Sequence, residues 1–368
     1  MIIIDSSQNH ICSVPVRMDT YNHCTFGCTY CFANEFRDHQ PNLSGEIEKK
    51  INLSSNPDRL IKRLPYLEGT PIHWGGMSDG FQPIEEIKRN SLKLMEHYNK
   101  IKYPIIISTK STLLAEEPYF SLLKEGNYAI QVSIFGKSCE LYDKGAPKYS
   151  ERVEFIQKIS SYVPVIVRVQ PYIVKFHNEV LEMIQELKEV GIKGITVEGI
   201  KRKEATKGFL RKSLSEYVYH PSFLFPYFRE LREKCHQVGI QFFAAENLLR
   251  FMGDSLNCCG FEDIRGFENS NTLNILQLFQ YKEITFSNLP KIKGIGGQGF
   301  TQTTVKNRVI QSLNKESEYG FYNFLRWYVN HGFFKQEYLL KIVGEDSQDN
   351  YIFECSDPEI EEYRKSLI

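Results

Sequence analysis

The sequence predicts an α/β protein in which six βα repeats curl a parallel sheet into a barrel, and three observations carry that prediction. Short apolar runs rich in Ile and Val recur between residues 12 and 198, amphipathic stretches separate them, and Gly, Ser, Lys and acidic residues gather just after the runs. Unbroken apolar runs suit strands buried on both faces, and parallel neighbours need long crossovers, which the intervening stretches supply. The chain has 368 residues, 42% of them hydrophobic, enough for a barrel-sized core plus a further element or small domain. We place the barrel at 1–246 and a mainly helical extension, expected to cover the barrel opening and contribute to substrate binding, at 247–368.

Residues 12–18 read as the first strand and feed a cysteine-rich loop. Residues 47–64 place Ile51, Leu53, Leu60, Ile61 and Leu64 among charges, a partly helical connection. The second strand is 71–74, and from Ile84 a helix turns Ile87, Leu92, Leu94 and Met95 to one face. The third strand is 103–108, followed by a helix over 113–123; the fourth is 129–134, followed by a helix over 149–161. The fifth is 163–169. Asn178 then caps a helix with Val180, Leu181, Ile184, Leu187 and Val190 inward and Gly191 as its stop. The sixth strand is 194–198, residues 215–238 read as a helix, and 240–246 as a seventh strand. Further on, Gly-rich 294–299 lacks the strand and helix of a dinucleotide fingerprint and reads as a flexible loop, while aromatic-rich 319–328 and 338–343 read as helices.

Charge narrows the function classes. Lys+Arg and Asp+Glu are 45 each, so no global polyanion-binding surface is expected and long nucleic acid is not favoured. A local cluster (Lys201, Arg202, Lys203, Lys207, Arg211 and Lys212, opposed by Glu204) follows the sixth strand. It is either a solvated face or, at a barrel rim, an attractor for a phosphate or another anionic group. No run of eighteen apolar residues exists to span a membrane, and the N-terminus lacks a secretory pattern, so a cytoplasmic setting is expected.

In parallel barrels chemistry sits where strands end. After the first strand stand Cys24, Cys28 and Cys31, a CxxxCxxC loop. Three thiolates can hold a four-iron cluster and leave one iron open to an exogenous ligand. The other readings are a zinc site completed by His23 or His39, a disulfide with a spare thiol, or ordinary buried cysteines. No second CxxC or HxxxH is present for zinc, and nine cysteines without a secretory signal disfavour disulfides. Vicinal Cys258 and Cys259, with Cys235 and Cys355, lack the spacing of a second cluster, and Cys139 reads as a buried small hydrophobe. Later strand ends carry Gly75, Gly76, Ser78 and Asp79, then Lys110, Ser133, Arg168, Gln170, Glu198 and Glu246. Arg168 and Gln170 interrupt an apolar strand and therefore need polar partners.

The cysteine loop, with Tyr30 before its third cysteine and Phe32 after it, resembles the radical S-adenosylmethionine superfamily. The strings Gly-Met-Ser-Asp-Gly-Phe-Gln-Pro-Ile-Glu at 76–85, Thr-Lys-Ser at 109–111, Lys-Gly-Ala-Pro at 144–147 with Arg152, and Arg-Val-Gln-Pro-Tyr-Ile at 168–173 resemble its DNA photolyase-like branch, the group related to spore photoproduct lyase. The resemblance covers roughly residues 12–200 in the branch's order. It implies a partial (βα)6 TIM-type barrel, a [4Fe–4S] cluster on Cys24, Cys28 and Cys31, S-adenosylmethionine on the open iron, and an electron donor such as flavodoxin or ferredoxin. Tyr30, Phe32, Gly75, Gly76, Ser78, Asp79, Lys110, Ser133 and Arg168 are then expected at the cofactor. Gln82, Gln170, Tyr172, Glu198, Lys201, Arg202 and Glu246 are expected at the substrate. Two departures stand out: the Gly-Gly pair lacks the following Glu common in the superfamily, and the hydrogen-donating cysteine of spore photoproduct lyase has no counterpart at Gly76-Met77-Ser78. The expected activity is therefore a lyase on a modified nucleoside or nucleotide, for example one freeing a queuine-type base. The alternatives are lesion repair, a peptide-modifying radical enzyme, and a non-enzymatic iron–sulfur or zinc nucleic-acid-binding protein.

Overall fold

The structure is a computed structural model. It describes residues 2–5, 14, 16–21, 23–33, 71–202, 210–213, 216–255, 257–261, 263–267, 283–285, 287 and 340–355. The stretches 47–64, 294–299 and 319–328, and Lys203, Glu204 and Lys207 of the basic cluster, lie outside the described residues. The chain divides into two units, one formed by 1–4, 16–57 and 69–269, the other by 5–15, 58–68 and 270–368.

The first unit is built on an eight-stranded sheet. Its strands are β1 (Ile2–Asp5), β2 (Val16–Asp19), β3 (Ile72–Trp74), β4 (Ile105–Thr109), β5 (Tyr128–Ser133), β6 (Val165–Tyr172), β7 (Gly194–Gly199) and β11 (Gln241–Ala244), in that spatial order. From β2 onward every neighbouring pair is parallel. The predicted strands are all present, shifted by a few residues at their ends. The sheet stays open between β11 and β1 among the described residues. Parallel pairing puts all seven carboxyl ends on one side, which gathers the predicted strand-end residues.

Helices cover the sheet. They are α1 (Ile84–Lys88), α2 (Asn90–Ile101), α3 (Tyr119–Glu125), α4 (Tyr149–Ile159), α5 (His177–Glu189) and α6 (Pro221–Val238). The single helix predicted from Ile84 is broken at Arg89, which takes φ 50°. The break turns Ile87 out to solvent, 75% exposed, while Leu92, Leu94 and Met95 are buried as predicted. Buried Glu85 explains the break: its carboxylate accepts the N–H groups of Asn90 (3.0 Å), Ser91 (2.9 Å) and Leu92 (2.8 Å), capping α2 from α1. Helix α5 begins one residue before Asn178, with Phe176 at the cap position, and Met183 rather than Leu181 joins Val180, Ile184 and Leu187 inside. Gly191 follows it at φ +87° as expected.

Two small antiparallel sheets correct the sequence reading. Residues 216–219, predicted helical, form β10 (Glu216–Tyr219), which pairs with β8 (Lys201–Arg202) and β9 (Leu210–Ser213). The run Tyr217-Val218-Tyr219 favours a strand, and His220 with Pro221 starts α6 only afterwards. In the second unit β12 (Glu283–Ile284), β14 (Tyr351–Cys355) and β13 (Leu340–Glu345) form a sheet, so the predicted helix over 338–343 is a strand from Leu340 on.

Candidate active site

The cysteine loop lies just after β2 and is held by backbone and amide contacts and by its Tyr30 side chain. Gln82, fully buried, accepts the Thr25 N–H (2.7 Å) and donates to the His23 carbonyl (2.7 Å). Gln82, expected at the substrate, thus spends both ends of its amide on the loop. Thr29 N–H donates to the Tyr142 carbonyl (3.0 Å), and Gly145 packs so closely that a Cβ would lie 2.8 Å from the Phe26 carbonyl oxygen. All three cysteines are free of disulfides and partly exposed. Burial, reinforced by the Asp79 carboxylate, pushes the Cys24 thiol up to about 12, while its sulfur accepts the N–H groups of Phe26 and Asp79. Burial also raises the Cys28 thiol, with the Lys110 cation opposing. These sulfurs have N–H donors and a cation at hand, which suits thiolates bound to a metal cluster. Among the described residues no three His, Cys, Asp or Glu side chains gather as single-ion ligands.

A buried charge network backs the loop. Asp143 accepts from the Tyr30 hydroxyl, pairs with Arg152 at 2.8 Å and lies 3.4 Å from the Lys110 ammonium. Lys110 also donates to the Tyr30 hydroxyl (2.9 Å), and Arg152 donates to the Ser133 carbonyl (2.8 Å). Burial alone would raise the Asp143 carboxyl, but Lys110 and Arg152 hold it below the ordinary aspartate value. Tyr30, Lys110 and Ser133 are thus brought together, while Phe32 is exposed.

The turn after β3 is fixed from both sides. Asp19 accepts the N–H groups of Met77 and Ser78, both at 2.9 Å, and the Ser78 hydroxyl donates to the Tyr21 carbonyl (2.5 Å). Asp79 accepts from Phe81 N (2.9 Å), Thr109 Oγ1 (2.9 Å) and Lys110 N (2.7 Å), tying this turn to the end of β4. Ser78 and Asp79 therefore shape the site. Gly75 has φ +94°, and a Cβ there would stand 2.3 Å from the Ser108 carbonyl oxygen, so only glycine fits. A Cβ on Gly76 would meet nothing closer than Arg17 Cδ at 3.4 Å.

A second polar row crosses the strands. His73 Nε2 lies 2.7 Å from Ser108 Oγ, which donates to Gln131 Oε1 (2.8 Å), and Gln131 Nε2 donates to the Cys259 carbonyl (3.0 Å). Arg168 donates through Nη1 to Ser108 (3.1 Å) and through Nε to Gln170, whose amide donates to Glu198; Lys201 pairs with Glu198 at 2.5 Å. Burial, with Arg168 and Arg17 adding, drives His73 well below its ordinary value, so it is neutral. Burial opposes ionisation of Glu198, yet Lys201 and Arg168 hold its carboxyl low. Glu246 accepts the Gly199 N–H (3.0 Å), and burial, aided by Glu198, holds its carboxyl high. Arg202 reaches the Thr29 carbonyl at 3.4 Å. Tyr172, expected at the substrate, is instead fully buried with its hydroxyl 2.8 Å from His177 Nδ1.

Asp19, Asp143, His73, Ser108 and Gln131 were not singled out from the sequence. The last three carry the signal that found Arg168 and Gln170, a polar side chain inside an apolar strand. Asp19 and Asp143 act across long sequence separations and leave no such mark.

No protein-family model matches the chain, and no curated protein matches it by sequence. Solved structures do. A spore photoproduct lyase variant aligns at TM-score 0.51 with 15% identity, covering 66% of this chain and 78% of that one. A second variant, with dinucleoside spore photoproduct, aligns at TM-score 0.51 with 16% identity and the same coverage. Two thirds of this chain therefore shares the fold of spore photoproduct lyase.

Proposed function

We propose that the chain is a radical S-adenosylmethionine enzyme, and the observation that carries this reading is the disulfide-free cysteine loop at the carboxyl end of β2, in a fold shared with spore photoproduct lyase. Cys24, Cys28 and Cys31 would hold a [4Fe–4S] cluster. Bound there, the cluster and S-adenosylmethionine would supply one-electron radical chemistry capable of abstracting hydrogen from a substrate.

The chain's own residues position and shield. The loop is pinned by Gln82, and the turn by Asp19 and Asp79, so the thiols are set before anything binds. Gly75 admits the Ser108 backbone, Gly76 beside it leaves room for a ligand at the backbone, and Lys110, only 14% exposed, is the cation for a carboxylate. Tyr30, Phe32, Ser78, Asp79, Ser133 and Arg168 complete the proposed cofactor surroundings. For the substrate, Gln170, Glu198, Lys201, Arg202 and Glu246 offer donors, acceptors and charge suited to a nucleoside or nucleotide, which fits a lyase on a modified nucleoside. An electron donor of the flavodoxin or ferredoxin kind and a cytoplasmic setting belong to this reading. Among the described residues no helix is long and apolar enough to cross a membrane.

Anaerobic reconstitution followed by reduction tests it. The expected products from S-adenosylmethionine are methionine and 5′-deoxyadenosine, both abolished by Cys28→Ala. A reduced, iron-loaded protein that yields neither would sink the enzyme reading. Stimulation of this cleavage by nucleoside 5′-phosphates over oligonucleotides is expected, and indifference to both removes the nucleotide substrate.

A further inference from the structure

The loop 257–261 lays two adjacent thiols against the polar row. Asn257, 1% exposed, accepts the Cys259 N–H through Oδ1 (2.8 Å), and its own N–H donates to Ser255 Oγ (3.1 Å). Gly260, at φ +73°, packs where a Cβ would lie 2.8 Å from Phe243 and 2.9 Å from Ile166, so the chain passes directly over β11 and β6. Cys259 is buried and offers its carbonyl to Gln131; Cys258 is partly exposed. The two sulfurs are 4.0 Å apart, against about 2.05 Å in a disulfide.

We propose that Cys258 and Cys259 are a redox-active vicinal dithiol that closes to a disulfide beside the strand-end cluster, with Cys258 attacking and Cys259 resolving. The assignment follows from access, since Cys258 is the more exposed residue of the two, and from charge. The Cys258 thiol is held below its ordinary value by its hydrogen bond with Cys259 against the cost of burial, helped by Arg250 and Arg168 and opposed by Glu198. That direction favours the thiolate, the reactive form. The oxidant is a low-molecular-weight disulfide. The Cys258 thiolate attacks one of its sulfurs, the S–S bond breaks and one small thiolate leaves. Cys259, deprotonated, displaces the second, so the protein loses two protons and two electrons and the reagent becomes two thiols. Closure removes a negative charge from beside Arg250 and Arg168 and constrains the peptide whose carbonyl holds Gln131. Redox state thereby sets the polar row, independently of whether the radical reading holds.

The test equilibrates the full-length, reduced protein with glutathione–glutathione disulfide buffers, then alkylates and digests it with trypsin. The peptide Phe251–Arg265 contains Cys258 and Cys259 and no other cysteine. Alkylation of both is expected to be lost together, with the peptide lighter by its two thiol hydrogens. Cys259→Ser should trap a stable glutathione adduct on Cys258, and Cys258→Ser should leave Cys259 unmodified. Two free thiols in the most oxidising buffer, a persistent wild-type adduct, or equally fast modification of Cys259 in Cys258→Ser each overturn the proposal. Should the variants fail to fold, phenylarsine oxide on the wild-type chain decides. An adduct on this peptide that a dithiol removes and a monothiol does not supports the pair, and its absence overturns it.

Discussion

The residues that matter most to this scaffold are buried polar groups whose partners come from other elements. Glu85 is the clearest. It is fully buried and accepts three backbone N–H groups, the Tyr119 hydroxyl at 2.9 Å and the Tyr21 hydroxyl. Glu85→Ala strands several buried donors and should cost on the order of 3 kcal/mol in urea denaturation. The carboxylates of the polar row make a paired prediction. Glu198 is held low, so its stabilisation is complete above the ordinary glutamate value of about 4.3 and fades as pH falls through its folded value. The stability gap between wild type and Glu198→Gln should be flat near neutrality and close on acidification. Glu246 is held high, so its ionisation opposes folding increasingly as pH rises from that ordinary value through the folded one. Glu246→Gln should gain on wild type with rising pH, and parallel curves for the two variants would contradict this assignment.

At the scale of elements, the turn after β3 shows how local chemistry and tertiary contact divide the work. The Gly75-Gly76 pair marks a turn in the sequence, but the demand at Gly75 comes from Ser108 on the neighbouring strand. Gly239 has a similar φ, +79°, with nothing within 4 Å of where a Cβ would stand. Gly239→Ala should therefore cost about 1 kcal/mol, whereas Gly75→Ala adds a backbone clash and should cost about 3 kcal/mol or more. Similar losses by thermal or chemical unfolding would mean that the β3–β4 approach is not what fixes this turn. Strands were legible because their runs are apolar throughout, as at Ile105-Ile106-Ile107 and Val165-Ile166-Val167. Where the reading failed, a competing force decided: Glu85 broke the long helix at Arg89, and cross-strand pairing claimed Tyr217-Val218-Tyr219.

For the whole molecule, parallel topology converts strands far apart in sequence into one surface at their carboxyl ends. A ligand that binds only there stabilises the folded chain by mass action. Reconstitution with iron and sulfide should raise the thermal midpoint by on the order of 5 °C, and Cys28→Ala should abolish the rise; an unchanged midpoint in reconstituted wild type would count against cluster binding by the native fold. The sequence by itself determined the α/β class, the order of the strands and the cysteine loop, because hydrophobic runs and cysteine spacing are local signals. Only the tertiary structure decided that Gln82 and Asp79 serve the scaffold, that Tyr172 turns away, and that Asp143 joins Tyr30, Lys110 and Arg152. It also decided that the Cys259 carbonyl meets Gln131. Those roles depend on which buried donor finds which acceptor across the sheet, and that pairing is settled by packing, since a buried polar group must be satisfied wherever the fold places it.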